Sequence, residues 1–180
     1  MSMTASESVG FMANRGTAVV TGASRGIGRA IAQRLADDGF SILGTYAGNA
    51  GAAREVHVAT GAEMIQADLG STSAVDRLLA TLSGRPIAAL INNAGVFQGG
   101  LTWERSHEDW EWIFSVNVYG IINGIKAFVP RMIAQDTEGH VVNTASVAAF
   151  VAGPMSAPYV VSKNTAMSVT RADGIRNTSS

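Results

Sequence analysis

Thr17-Ala18-Val19-Val20-Thr21-Gly22-Ala23-Ser24-Arg25-Gly26-Ile27-Gly28 is the stretch that decides the fold. Its first five residues are a short, mostly apolar run ending in glycine, the pattern of a strand buried inside a parallel sheet. Arg29 to Asp38 follow, with Ile31, Leu35 and intervening alanines at helical spacing and Gly39 as the stop. The glycines between strand and helix are spaced G-x-x-x-G-x-G. Gly22 permits a tight turn, Gly26 lets backbone approach a pyrophosphate, and Gly28 lets the helix pack close to the sheet. The helix N-terminus adds free N–H groups and a dipole that favours phosphate charge. A glycine-rich turn without a ligand is the competing reading; the strand before and the helix after favour a nucleotide loop.

The same rhythm continues outward. Phe40–Thr45, Glu63–Asp68, Ile87–Asn92 and His140–Thr144 read as four further strands. Ala50–Ala59, Ser73–Leu82 (capped by Ser71 or Ser73), a long region from Ser106 to Ala134 and Ala157–Arg171 read as helices. The spacing predicts that glycines interrupt the long region and that it ends near Pro130. Strands alternating with helices imply βαβ units: an α/β, doubly wound parallel sheet of the Rossmann-like kind. Residues 1–14 are expected to be a disordered tail, and 15–180 one dinucleotide-binding domain.

Composition narrows the chemistry. Of the 180 residues 47% are apolar and 15% charged, as in a chain with a buried core. A net charge of −1 gives no electrostatic reason to expect nucleic acid or an anionic membrane as partner. The absence of cysteine excludes disulfides and thiolate nucleophiles, and His57, His107 and His140 lack ligand spacing, so no metal site is expected. No signal-peptide pattern and no apolar run of membrane-spanning length is read, which makes a soluble, cytoplasmic protein the expectation.

Cofactor choice depends on charge at the ribose. An acid about 20 residues past the first glycine is usual where NAD is bound. Here Leu43-Gly44-Thr45-Tyr46-Ala47-Gly48-Asn49 carries none, and Arg25 stands ready for a 2′-phosphate. NADP is the preferred expectation, with NAD as the alternative; a solvated Arg25 is the bland reading.

Further motifs follow in order: Asp68 after the third strand, Asn92-Asn93-Ala94-Gly95 after the fourth, Asn117 in the long helix, Ser146 after the fifth strand, and Tyr159-x-x-x-Lys163 thirteen positions later. Each alone is weak. In this order, from Gly16 to about Arg171, the chain resembles the short-chain dehydrogenase/reductase family, and within it the relatives of 3-oxoacyl-acyl-carrier-protein reductase. The resemblance implies hydride transfer between a nicotinamide cofactor and a small-molecule carbonyl or alcohol substrate. It also implies catalytic roles for Asn117, Ser146, Tyr159 and Lys163. Cofactor contacts are implied for Gly22, Ser24, Arg25, Gly26, Ile27, Gly28, Thr45, Asp68, Leu69, Asn93, Ala94, Gly95, Tyr159 and Lys163. In the family the helices carrying Asn117 and Tyr159 pack against their copies, so a homodimer or homotetramer is expected. Trp110, Ile113, Phe114, Ile121, Ile122, Ile125, Phe128 and Val129 are the apolar residues offered to it.

The residue types suit the chemistry. A free tyrosine has a pKa of about 10, too high for efficient acid–base work near neutrality. Lys163, one helical turn on, and an oxidised nicotinamide would both favour the phenolate; a shift of roughly 3 units needs about 4 kcal/mol. The resemblance implies that Ser146 holds the substrate oxygen and that Asn117 positions a water toward Lys163.

One departure stands out. Val169-Thr170-Arg171-Ala172 runs at once into Asp173-Gly174-Ile175-Arg176-Asn177. The family's similar Gly-Ile-Arg segment opens a sixth strand only after roughly two more helical turns. Either the match is coincidence or the chain is a shortened, C-terminally truncated relative. Such a relative lacks the usual last strands and substrate loop, and a remnant with little or no activity is the alternative function.

Overall fold

The computed structural model describes residues 15–172. The tail expected over 1–14 and the Gly-Ile-Arg segment at 173–180 lie outside the described residues. Five strands form one sheet: β1 (Thr17–Val20), β2 (Ser41–Tyr46), β3 (Glu63–Gln66), β4 (Ile87–Asn92) and β5 (His140–Asn143). All neighbours are parallel, in the order β3-β2-β1-β4-β5. Among the described residues six α-helices accompany them: α1 (Gly26–Asp37), α2 (Ala50–Thr60), α3 (Thr72–Thr81), α4 (His107–Phe114), α5 (Gly120–Ala134) and α6 (Ala157–Ala172).

The strand alternation decides which helix covers which face. Ala18, Val20, Ile42 and Ile91 point to one side, where Ala32 of α1 and Val56 of α2 cover them. Val19, Leu43 and Leu90 point to the other, against Val75 and Leu78 of α3 and Phe128 and Met132 of α5. Both faces of β1 are therefore dry, which is why its sequence reads as a continuous apolar run. This is the doubly wound, Rossmann-like sheet. Its strand order reverses between β1 and β4, so a crevice opens at their carboxyl ends.

Two boundaries differ from the sequence expectation. α1 begins a turn early because Gly26–Gly28 are already its first residues. The long region does not end at Pro130, which sits inside α5. Proline costs a helix the N–H bond to the preceding turn, but here packing of Phe128 and Met132, on either side of it, into the core against the sheet holds the helix. The interruption is not at a glycine either. It is a π-helical turn over Ser115–Tyr119, between α4, whose start is locked by a reciprocal Ser106–Asp109 capping box, and α5.

The joined helix His107–Ala134 spans 28 residues, with a mean hydropathy of 1.3 over its most apolar window, long and apolar enough to cross a membrane by length and composition. That corrects the expectation that no such run exists. Its apolar side is turned inward, however: Ile113, Ile121 and Phe128 are almost fully buried, and Phe128 packs in the core beneath the sheet, which is the behaviour of a core helix. The same burial alters the proposed contact surface: of the apolar residues offered for self-association, Ile113, Ile121, Phe128 and Val129 belong to the core. The large apolar side chains actually exposed on this helix are Trp112, Tyr119 and Ile133. Trp103, on a short 3-10 turn (Thr102–Glu104), is also exposed.

Candidate functional site

The loop after β1 is held from two neighbours. Gly22 donates its N–H to Thr45 Oγ1 at 3.1 Å, and Ala23 donates to the Thr45 carbonyl at 2.8 Å. From β4, Asn93 donates through Nδ2 to the Thr21 carbonyl at 3.0 Å. The Thr21 hydroxyl accepts the amides of Asn93 and Ala94 at 2.9 and 3.0 Å. Gly28 is demanded by close approach: a Cβ there would overlap the Gly22 carbonyl and the Asn93 amide. Gly26 is different. Its φ is +54° and open space lies where a Cβ would be, so the loop leaves room for a ligand above the start of α1. No side chain caps that helix, and its first turn holds no acid. Such a terminus suits an anionic phosphate group.

Around this cradle the expected contacts divide. Arg25 and Ile27 are exposed, while Ser24 is buried. Thr45 is 1% exposed, and its hydroxyl is spent on the loop, so it supports the cradle from behind and offers no side-chain contact to a ribose. This corrects its expected role as a direct contact. Beyond it, Asn49 Oδ1 caps α2 by accepting the Ala52 amide at 2.9 Å. Asp68 is exposed and accepts the Gly70 amide at 3.0 Å. Leu69 is buried, and its carbonyl accepts from Asn123 Nδ2 of α5 at 3.0 Å. The sequence reading missed Thr21 and Asn123; a buried polar residue beside a glycine motif is the only signal it offered.

A second cluster lies across the crevice. The π turn turns Asn117 inward, where it is fully buried. Its Oδ1 accepts the Val96 amide at 2.8 Å, and its Nδ2 donates to the Val96 carbonyl at 2.9 Å and to Ser162 Oγ at 3.0 Å. Asn117 thus clamps the backbone after Gly95 to α6, and makes no direct hydrogen bond to Lys163. Gly95 sits between the two: a Cβ there would stand 3.4 Å from Asn117 Oδ1 and 3.5 Å from Lys163 Nζ.

Lys163 is 4% exposed, which removes the reading of a solvated helix lysine. Its Nζ donates to the Thr144 carbonyl at 2.8 Å and lies 5.9 Å from the centre of the Tyr159 ring. Burial pushes its pKa below the ordinary lysine value, because desolvation penalises the ammonium. Tyr159 is partly exposed, and its ring meets Phe97 edge-on. Ser146 accepts the Ala148 amide at 3.1 Å, capping a 3-10 turn over Val147–Ala149, and makes no hydrogen bond to Tyr159. Asn92 and Asn143 link β4 to β5 at 2.8 Å, and Asn143 donates to Thr170 of α6 at 2.9 Å. This polar chain fixes α6, and with it Tyr159 and Lys163, against the sheet.

Residues 16–174 match the family model described as short chain dehydrogenase. The chain is 39% identical over 164 residues to 1-deoxy-11-beta-hydroxypentalenate dehydrogenase of Streptomyces avermitilis, covering 86% of this chain and 60% of that one. It is 33% identical over 162 residues to a 3-oxoacyl-[acyl-carrier-protein] reductase of Staphylococcus aureus, covering 86% and 65%. Among solved structures, a short chain dehydrogenase/reductase from Burkholderia phymatum in complex with NAD superposes with a TM-score of 0.83 at 37% identity, covering 90% of this chain and 60% of that one. The chain therefore spans about 60 to 65% of the length of these relatives.

Proposed function

The chain belongs to the short chain dehydrogenase family, and we propose that it is an oxidoreductase that interconverts a carbonyl and an alcohol with a nicotinamide dinucleotide, NADP in preference to NAD. The observation that carries this reading is the buried Lys163 beside Tyr159, with the Gly95 backbone over it and, among the described residues, no carboxylate paired with it. A buried cation without an acid partner is costly. Here it has a use: it stands beside the tyrosine ring, on the side from which a proton can be returned to the tyrosine hydroxyl.

The cradle fits the dinucleotide. The open side of Gly26 and the uncapped α1 terminus would receive the pyrophosphate, Asp68 and Leu69 would border the adenine, and Gly95 would pass beneath a ribose. The bound nicotinamide supplies the hydride. The rest falls to this chain. Tyr159 gives its hydroxyl proton to the substrate oxygen and regains one through the side where Lys163 lies. Ser146 holds that oxygen, exchanging its bond to Ala148 for one to substrate. Asn117 acts by setting the Val96 backbone and α6. NADP preference is supported by the lack of an acid from Thr45 to Asn49 and by Arg25, which has no ion-pair partner among the described residues.

In this reading residues 15–180 form one dinucleotide-binding domain, active in the cytoplasm on a small molecule and self-associating through Trp112, Tyr119 and Ile133. The test is fluorescence titration with NADPH and NADH, followed by NADPH oxidation against a ketone panel. Failure to bind either dinucleotide overturns it.

A further inference from the structure

Two segments meet beside Tyr159. The first runs out of β4 through Val96 to Leu101, and the second joins β5 to α6. They are tied together where the Gly100 amide donates to the Met155 carbonyl at 2.7 Å. A side chain at Gly99 would touch that carbonyl and the Phe97 ring. Phe97 is 61% exposed, yet its ring stands 5.1 Å from that of Tyr159 at 80°. That is the edge-to-face geometry aromatic rings prefer.

Met155 holds a left-handed backbone, with φ of +57°, a conformation that unbranched non-glycine residues adopt at a cost. Its side chain is 57% exposed at this place. A glycine would hold the same turn without strain, so the turn alone does not call for methionine. Val147, Phe150 and Val151 extend the apolar surface on the turn after Ser146.

Charge is missing from the same walls. No Asp, Glu, Lys, Arg or His occurs from Ile87 to Trp103 or from Val141 to Ser162. The nearest ionic groups behind Gly100 are Arg105 and Asp109, which face each other at 3.6 Å. Among the described residues of these two walls an anionic substrate would meet no cation, and Lys163 lies under the tyrosine.

We propose that Phe97 and Met155 are specificity-determining residues that form an apolar slot beside Tyr159, selecting bulky uncharged ketones or alcohols over small or anionic ones. This rests on the carbonyl-reducing role of Tyr159 given above. The slot grips the ring or alicyclic part of the substrate, and that grip sets the carbonyl against the tyrosine hydroxyl.

The experiment compares 2-tetralone, acetone and acetoacetate as substrates, with NADPH and with NADH. The unaltered protein should prefer 2-tetralone to both others. Phe97→Ala should lower kcat/KM for 2-tetralone about tenfold, chiefly through KM, and for acetone by less than about twofold, the range expected when one apolar contact is lost. Met155→Gly should act in the same direction with no loss of thermal stability, since glycine suits the left-handed backbone. Equal losses on 2-tetralone and acetone, or acetoacetate matching 2-tetralone, overturn the proposal. If none of the three is reduced, the catalytic reading fails. Saturation-transfer NMR with 2-tetralone then decides the slot alone: a signal lost in Phe97→Ala supports it, and one unchanged overturns it.

Discussion

The hydroxyl of Thr45, on β2, accepts the backbone N–H of Gly22, on the loop after β1, at 3.1 Å. A side chain facing the sheet interior thus sets the first turn of the phosphate cradle. Thr45→Val keeps the shape and removes the acceptor, leaving the Gly22 amide unpaired at a cost of about 1–3 kcal/mol. Urea unfolding should show a loss in that range, and NADPH should bind several-fold more weakly. Thr45→Ser should restore both. A valine variant that binds NADPH as well as the parent would show the tether to be dispensable.

Arg25 is exposed at the N-cap of α1. NADPH should bind more tightly than NADH, and Arg25→Ala should weaken NADPH about tenfold, the effect of losing one charge-assisted contact of about 1.4 kcal/mol. NADH should be little affected. Calorimetry with both cofactors on both proteins checks this; an equal loss for the two would place Arg25 away from the 2′-phosphate.

Tyr159→Phe removes a hydroxyl that has no hydrogen-bond partner among the described residues and keeps the ring against Phe97. Thermal stability and NADPH affinity should be preserved while turnover falls at least about a hundredfold, as expected for loss of a general acid. Stopped-flow NADPH oxidation at saturating cofactor is the measurement. A variant retaining full turnover would remove Tyr159 from the chemistry.

Lys163 gives a pH signature in stability. Its folded pKa lies below the ordinary value of 10.5 because of burial. Between the folded value and 10.5 the unfolded chain holds more protons, so stability rises with pH through that window. At lower pH the penalty of a buried ammonium is fully present. Lys163→Met abolishes the effect. The urea midpoint of the parent should therefore gain on that of the variant as pH is raised from about 7 to about 10. A constant difference would mean that the lysine titrates as though solvated.

Asn117→Ala should be among the more damaging single changes, because it strands the Val96 amide and the Val96 carbonyl at once and leaves Ser162 only its bond to the Tyr159 carbonyl. A loss of about 2–4 kcal/mol is expected from unpaired buried groups. Turnover should fall further than cofactor affinity, since the clamp holds α6. Unfolding curves and single-turnover rates on one preparation separate the two effects.

Much of this protein is written in local patterns. The apolar run Thr17–Thr21, the three glycines after it and the alternation of strand and helix determined the Rossmann-like class, because strand and helix periods and the steric demands of a phosphate turn act over neighbouring residues. The order of Asn117, Ser146, Tyr159 and Lys163 marked the candidate site for the same reason. Pro130 and the glycines of the long helix misled, because a local helix breaker is overruled when the residues around it are packed on a sheet. What each site residue does with its polar atoms was decided only in three dimensions. Thr45 looked like a ribose contact and is a buried support for Gly22. Asn117 spends its side chain on Val96 and Ser162. Lys163, indistinguishable in sequence from a solvated lysine, is buried beside Tyr159. The hydrogen-bond partners of Thr45 and Asn117 lie some 20 to 45 residues away; the pairing of β2 with β1 brings Thr45 to Gly22, and the packing of the π turn against α6 and the loop after β4 brings Asn117 to Ser162 and Val96.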